Sequence, residues 1–297
     1  MSALDKRTSS LPYTALPIVL LSVLSLAIVH QAGHLHTPPS GALHYEPKTI
    51  AIAPRTFHYR ADGEYIRGTM TVDPPMIAVI KRYPLTITKY QVTASEYLDC
   101  VADDVCKPAA NDARADLNLP VTGVSYEDAT AYARWLSEMT GDYWRLPSDQ
   151  ELAFAAGSRF PDDASGLAPD NINPALRWIA DYEREAAARA ARDPSPRPVG
   201  SFGENEHGLA DFGGNIWEWT STCHRRVKLN TNGSQDSVET ICGINVTVGP
   251  HRSPVSSFIR DPRGGGCSVG TPPDNLGFRL VKSTRWYAPF LKMFREG

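Results

Sequence analysis

The most informative segment of the chain is Gly208-Leu209-Ala210-Asp211-Phe212-Gly213-Gly214-Asn215-Ile216-Trp217-Glu218-Trp219. It sets two carboxylates on either side of a glycine pair, and two tryptophans flank the second carboxylate. Two more segments near the C-terminus contain both glycine and arginine, and they read Arg263-Gly264-Gly265-Gly266-Cys267 and Asn275-Leu276-Gly277-Phe278-Arg279. We interpret the three segments as parts of one site.

Length and charge narrow the class of protein. The chain has 297 residues, of which 42% are hydrophobic, so it can bury a sizeable core. Its 30 basic and 33 acidic residues give a net charge of −3, and no stripe of lysine and arginine marks a phosphate-binding face. We therefore expect no nucleic-acid partner.

The N-terminal region predicts export. From residue 11 to residue 29 the chain is almost wholly apolar, and Lys6 and Arg7 precede this run as a cytoplasmic positive flank. A helix over the run would reach about 28 Å, which just spans a bilayer core. We favour an uncleaved anchor in the inner membrane over a cleaved signal peptide, and either predicts a periplasmic or otherwise extracytoplasmic domain. The predicted divisions are a cytoplasmic N-terminus (1–10), a transmembrane signal anchor (11–30), a linker (31–48), one domain (49–285) and a C-terminal tail (286–297).

Five cysteines suit an exported chain, because disulfides persist outside the cytosol. Cys100 and Cys106 enclose a short loop, whose closure would remove about 2 kcal/mol of unfolded-chain entropy. Cys223 and Cys242 are the second predicted pair, which leaves Cys267 over. Pairing of Cys223 with Cys267 stays an open alternative, because sequence does not fix connectivity.

Local patterns predict strands and two helices. Runs rich in isoleucine, valine, tyrosine and threonine indicate strands within 50–65 and 76–93. Ser125 and Ser148 each precede an acidic residue at the third helical position, which is the capping-box pattern of a helix start. Gly141 and Gly157 stop the two helices.

The order and spacing of several motifs resemble the sulfatase-modifying-factor family, whose best-known members are formylglycine-generating enzymes. The matching motifs lie at 90–97, 120–129, 135–137, 143–151 and 208–219, and in the two C-terminal segments. The resemblance covers about residues 50 to 282. It implies an α+β, loop-rich variant of the C-type lectin fold with a surface cleft, here preceded by the predicted transmembrane helix.

The resemblance also implies bound calcium at the glycine-rich segment 208–219, which we call the turn. The family's ligand positions fall on the side chains of Asp211 and Glu218 and on the backbone carbonyls of Gly214 and Ile216. The chemistry agrees, because Ca²⁺ takes several oxygen ligands and a tight glycine-rich turn can supply them. We therefore predict calcium as the cofactor.

The family's redox centre is the part that this sequence lacks. Formylglycine-generating enzymes carry two cysteines separated by four residues just beyond the Arg-Gly-Gly element, and these thiolates bind copper(I). Here the chain runs from Cys267 to Asp274 without a second cysteine, so we expect no copper. Cys267 is the candidate catalytic residue, and a buried thiol or a disulfide partner are its other readings.

Four more residues are assigned to the implied cleft: Arg263, Gly264, Asn275 and Arg279. The guanidinium of Arg279 suits two roles. It can anchor the loop layer through bidentate hydrogen bonds, or it can contact a substrate.

The resemblance implies an accessory or maturation factor for another exported protein, for example a metalloenzyme, with that client protein or peptide as the partner. This inference rests on analogy by fold and family. Two alternatives stay open: a formylglycine-generating oxidase that acts on a sulfatase cysteine, and a non-catalytic lectin-like binding module. Whether the chain is an enzyme is therefore undecided by its sequence.

Overall fold

Strands dominate the regular structure of this chain. The computed structural model describes residues 46–110, 116–164, 175–176, 179–180, 182–183, 195–261 and 275–283. In chain order the strands are β1 (Thr49–Ile52), β2 (Arg55–Arg60), β3 (Glu64–Arg67), β4 (Met70–Val72), β5 (Met76–Lys81), β6 (Leu85–Thr88), β7 (Tyr143–Arg145), β8 (Trp217–Leu229), β9 (Gln235–Val248), β10 (Arg252–Ser256), β11 (Leu276–Gly277) and β12 (Val281–Ser283). The α-helices are α1 (Ala94–Ala102), α2 (Tyr126–Thr140) and α3 (Asp149–Ala156). The described residues therefore form a mixed α+β fold.

The first sheet joins distant parts of the sequence. Its strand order is β1-β6-β12-β7, and every neighbouring pair is antiparallel. Strand β6 lies in the middle, with β1 on one side and β12 on the other. The first and last described strands are thus held together by the same partner.

The second sheet carries the 208–219 turn. Its order is β10-β9-β8-β3-β4, and the short strand β11 pairs in parallel with the start of β8. Strands β8 and β9 form a long antiparallel ladder whose register shifts next to Cys223. Strands β2 and β5 form a separate two-stranded sheet.

Capping boxes begin α1, α2 and α3. The hydroxyls of Ser125 and Ser148 accept hydrogen bonds from the third helical N–H, and the acidic side chain at that position bonds back to the cap. Both starts match the sequence prediction. Thr93 caps α1 in the same way, at the end of the 76–93 run that has strand composition and within the 90–97 motif, where the family resemblance implies a passage from strand to helix. Helix α2 ends at Gly141, whose φ of 71° is in the left-handed region.

A large apolar core packs the first sheet against α3. Ile87 and Val281 contribute from the sheet, and Leu152 and Phe154 contribute from the helix. The turn adds two residues to the same core, which are Leu209 and Phe212. Burial of these apolar side chains fixes the turn to the sheet.

Both predicted disulfides are present. Cys100 pairs with Cys106 across a Cα–Cα distance of 5.3 Å, and Cys223 pairs with Cys242 across 4.6 Å. The alternative pairing of Cys223 with Cys267 is therefore wrong. The second disulfide links β8 to β9 at the register shift.

The predicted membrane anchor needs correction. Residues 1–10, 11–30 and 286–297 lie outside the described residues, as does most of the linker 31–48. In the described part of the chain, no helix combines the length and apolar character needed to cross a membrane. We therefore withdraw the membrane-anchored, periplasmic location and the inner membrane as a partner.

Candidate functional site

The turn before β8 bends through a left-handed residue that is not glycine. Asp211 has a φ of 62° and is fully buried. Aspartate tolerates this region better than most residues because its short polar side chain can bond to nearby backbone. Gly213 follows at a φ of 73°, which glycine adopts without steric cost.

The Asp211 carboxylate ties a neighbouring loop to the turn. Its two oxygens accept hydrogen bonds from the backbone N–H groups of Gly200, at 2.5 Å, and Phe202, at 2.8 Å. The Asp211 N–H donates to the Gly203 carbonyl at 3.0 Å. One side chain therefore holds residues 200–203 against the turn.

Glu218, at the end of the turn, forms a buried ion pair with Arg279. Arg279 donates from Nε to Glu218 Oε2 at 2.5 Å and from Nη2 to Glu218 Oε1 at 2.7 Å, and both side chains have 0% exposure. Arg279 also donates to the carbonyls of Ala210, at 3.0 Å, and Lys89, at 3.1 Å. Such bidentate pairs combine charge with fixed geometry. These contacts belong to the first role expected for Arg279, the anchoring of the loop layer.

Gln91 is a member of the cluster that sequence reasoning missed. Its Nε2 donates to Glu218 Oε1 at 2.8 Å and lies 3.5 Å from the Asp211 carbonyl. Both partners are acceptors, which fixes the orientation of the amide. Gln91 Oε1 is buried and has no hydrogen-bond partner in the described structure. The only signal in the sequence was the position of Gln91 inside the 90–97 motif.

Calcium at this turn stays a prediction. Both predicted carboxylate ligands, Asp211 and Glu218, already accept N–H donors, and the Arg279 guanidinium supplies the positive charge that Glu218 needs. Among the described residues, no group of three or more His, Cys, Asp or Glu side chains is placed to share an ion. An ion at this turn would therefore have to share the two carboxylates with these donors.

The remaining predicted site residues divide into two groups. The Asn275 carbonyl accepts the Trp217 N–H at 2.9 Å, so the start of β11 is joined to the turn. Arg263, Gly264 and Cys267 lie outside the described residues. The structure thus brings together Asp211, Glu218, Arg279 and Asn275, and the roles assigned to the other three stay predictions.

A second buried polar cluster surrounds Asp149, the first residue of α3. Its carboxylate is 1% exposed; Oδ2 accepts from Arg252 Nη1 at 3.3 Å, and Oδ1 has no partner in the described structure. Arg252 also donates to Asp163 at 2.6 Å. Burial is the main reason that the pKa of Asp149 is raised to about 7; Arg252 opposes the rise, and the charges of Asp62 and Asp163 add to it.

The fold and the turn define the class of protein: a loop-rich α+β domain whose Gly-rich turn is anchored on a buried glutamate–arginine pair. The chain belongs to the family described as "Sulfatase-modifying factor enzyme 1-like domain", whose model matches residues 36–284. The resemblance seen in the sequence motifs is thereby confirmed.

Relatives in this family include active and inactive members. A formylglycine-generating enzyme from Streptomyces coelicolor is 38% identical over 122 residues, which cover 37% of this chain and 35% of that protein. The inactive C-alpha-formylglycine-generating enzyme 2 of Mus musculus is 28% identical over 184 residues, which cover 57% of this chain and 51% of that protein. PvdO from Pseudomonas aeruginosa has a solved structure that aligns over 79% of this chain and 94% of its own, with 22% identity and a TM-score of 0.49. The chain spans between about a third and a half of the length of these two curated relatives.

Proposed function

We propose that this chain is an accessory factor that binds a client protein during its maturation and does not itself form formylglycine. It would do so on a formylglycine-generating-enzyme-type variant of the C-type lectin fold. Family membership over residues 36–284 supports the type of protein. The names of its relatives leave its chemistry undecided, because they include both an enzyme and an inactive protein.

Cysteine pairing is the observation that carries this proposal. The sequence contains five cysteines, and Cys100–Cys106 and Cys223–Cys242 use four of them. A disulfide sulfur is not a free thiolate, and soft thiolate ligands are what copper(I) selects. Cys267 alone therefore cannot supply a two-thiolate copper site.

The buried cluster supports a role for the turn as a rigid platform. Glu218, Arg279 and Gln91 form a hydrogen-bonded network with almost no exposed surface. Buried groups that are already paired cannot meet a client directly, so we assign them to positioning. We therefore propose that the client contacts the other residues assigned to the implied cleft, which are Arg263, Gly264 and Asn275.

The test combines thiol counting with an assay for product. We expect one free thiol per unfolded, unreduced chain, no stoichiometric copper(I) binding, and no aldehyde when a sulfatase-derived cysteine peptide is incubated with the full chain, copper(I) and oxygen. Cys267→Ser is the matched control, and it should remove the thiol without changing the other readouts. Stoichiometric copper(I) together with aldehyde in the peptide mass spectrum would overturn the proposal.

Client binding needs its own measurement. Affinity capture with the full chain from the source cells, against the same chain after heat denaturation, should enrich one defined protein whose direct binding is then measured with purified components. Failure to detect direct binding for any enriched protein would contradict the accessory role.

A further inference from the structure

Within the described residues, the outer side of the long strand β9 is paired over only part of its length. Strand β10 pairs with it from Ile244 to Val248, where Ser256 lies opposite Ile244. The Ser257 N–H then donates to the Gly243 carbonyl at 3.0 Å, and the chain turns away. Residues 235–240, 242 and 243 are exposed to solvent. We call the outer backbone side of residues 235–242 the free edge.

Strand β8 supports the free edge on its inner side. It pairs with residue 235 and with residues 237–241 of β9, with a register shift at Asp236, and β3 and β4 continue the sheet on the far side of β8. Val227, on β8 and opposite Val238, is fully buried. The Cys223–Cys242 disulfide fastens the two strands at one end. A strand that arrives at the free edge would therefore meet a preformed sheet.

Charge on the free edge has a single sign. Asp236 and Glu239 are its charged residues, and β9 contains no lysine or arginine. The basic residues Arg225 and Arg226 lie one strand further in, where they pair with Asp62 and Glu64. Arg226 also reaches across to Glu239 at 4.0 Å, a pair in which both side chains are partly exposed to solvent. Opposite charges on neighbouring strands stabilise their pairing, and like charges oppose it.

Phe258 offers an apolar contact at the end of the free edge. It follows the last β10 residue by two positions, and its side chain is 69% exposed. A strand lying beside residues 235–242 would continue the line of β10 and would reach Phe258 at one end.

The exposed backbone, the acidic side chains and Phe258 together indicate what kind of segment the free edge could bind. We propose that the free edge binds an extended basic segment of a partner polypeptide by strand addition, with lysine or arginine side chains near Asp236 and Glu239 and an apolar side chain against Phe258. Main-chain hydrogen bonds would supply affinity in this mode, and alternate side chains would supply specificity. A second copy of the chain fits less well, because self-pairing would bring the acidic residues of two edges together.

This inference goes beyond the proposed function, since the free edge lies at the opposite end of β8 from Glu218. In an accessory factor it would receive a stretch of the client chain. Peptide binding at the edge and the formation of aldehyde are measured separately, so either proposal can fail while the other stands.

The test uses the full chain and a nine-residue peptide of alternating lysine and valine. We expect saturable binding by fluorescence anisotropy and slower amide hydrogen exchange within residues 235–243. Asp236→Lys with Glu239→Lys should weaken binding at least about fivefold and make an aspartate–valine peptide the better ligand. Glu46→Lys with Glu127→Lys is the control with the same change in net charge on exposed residues elsewhere, and it should change binding less than about twofold.

Three results would overturn the proposal. One is equal binding of a peptide that is N-methylated at alternate residues, since that peptide cannot complete the ladder. Another is equal weakening by the two charge-reversed variants, which would indicate only a net-charge effect. The third is a peptide-free dimer with the same β9 amides protected, which would assign the free edge to a second copy. Phe258→Ala keeps the edge intact and should weaken binding without loss of amide protection at saturation.

Discussion

Arg279 meets both carboxylate oxygens of Glu218 in a part of the core where neither side chain touches solvent. The pair joins β8 to the second residue after the parallel strand β11, and the guanidinium also reaches the carbonyls of Ala210 and Lys89. The turn, the second sheet and the end of β6 therefore share one buried charge pair.

Removing one partner of the Arg279–Glu218 pair should strongly destabilise the fold. We expect Arg279→Met to lower the free energy of unfolding by about 3–5 kcal/mol, because Glu218 would keep a buried charge without a partner. Adding Glu218→Leu should recover part of that loss, which denaturant titration can measure. Arg226→Met is the control, because its pair with Glu64 is partly exposed and should be worth less than about 1 kcal/mol. A similar loss in both arginine variants would contradict this account.

Calcium can be tested through stability. Asp211→Ala loses the hydrogen bonds from Gly200 and Phe202 in any buffer, so some fall in melting temperature is expected throughout. If the predicted ion binds the turn, the fall should be larger in calcium than in chelator, because a ligand stabilises only the folded state that holds it. Asp128→Ala, which removes a cap on α2, should shift equally in both buffers. Equal shifts for Asp211→Ala would remove calcium from the turn.

Asp149 should make the protein less stable as pH rises. Burial raises the pKa of Asp149 from the usual 3.8 to about 7, so the folded chain keeps a proton that the unfolded chain releases. Its contribution is fully present below about pH 4 and is lost between about pH 4 and 7, at up to about 1.4 kcal/mol per pH unit. Asp149→Asn should therefore raise the free energy of unfolding at pH 8 by about 2–4 kcal/mol and change it little at pH 4.

Glu151 provides the opposite control on the same helix. Burial alone would raise the pKa of Glu151, but the hydrogen bonds and charge of Arg145 outweigh it and hold the pKa at about 2. Its contribution is present above about pH 4.5 and is lost as pH falls toward 2. Glu151→Gln should therefore lower the free energy of unfolding at pH 7 and not at pH 2.

Both expectations are checked by denaturant titration at a series of pH values. If the free energy of unfolding changes with pH in the same way in wild type and in Asp149→Asn, the role of Asp149 is refuted.

The two disulfides should contribute different amounts to the free energy of unfolding. Cys223 and Cys242 are 19 residues apart and Cys100 and Cys106 are 6 apart, so the chain-entropy model assigns about 3 and about 2 kcal/mol. Replacing both cysteines of a pair by alanine and measuring unfolding should give that order. The reverse order would show that native packing around the short loop outweighs loop entropy.

The sequence predicted the structures that depend on residues close together in the chain. It did not predict the polar contacts between residues that are far apart in the chain. Ser125 and Ser148 predicted the starts of their helices because the two partners of a capping box are only three positions apart. By contrast, Glu218 and Arg279 are 61 residues apart, and Asp149 meets Arg252 across 103 residues. Motif comparison brought the first pair into one site, but nothing in the residue types indicated that the two side chains pair with each other.

Thr93 shows why strand composition alone misplaces the end of a strand. The 76–93 run has strand composition, yet β6 ends at Thr88 and Thr93 caps α1. Its hydroxyl and Glu96 complete a capping box, and this local bonding ends the extended segment. Composition averaged over many residues does not reveal that boundary.

The middle position of β6 in its sheet has a consequence for synthesis. Strand β1 can reach β6 while translation is still under way, but β12 is made almost 200 residues after β6. On the ribosome, the nascent domain must keep one side of β6 unpaired until β12 has been synthesised, so a holding chaperone would favour its native assembly over misfolding.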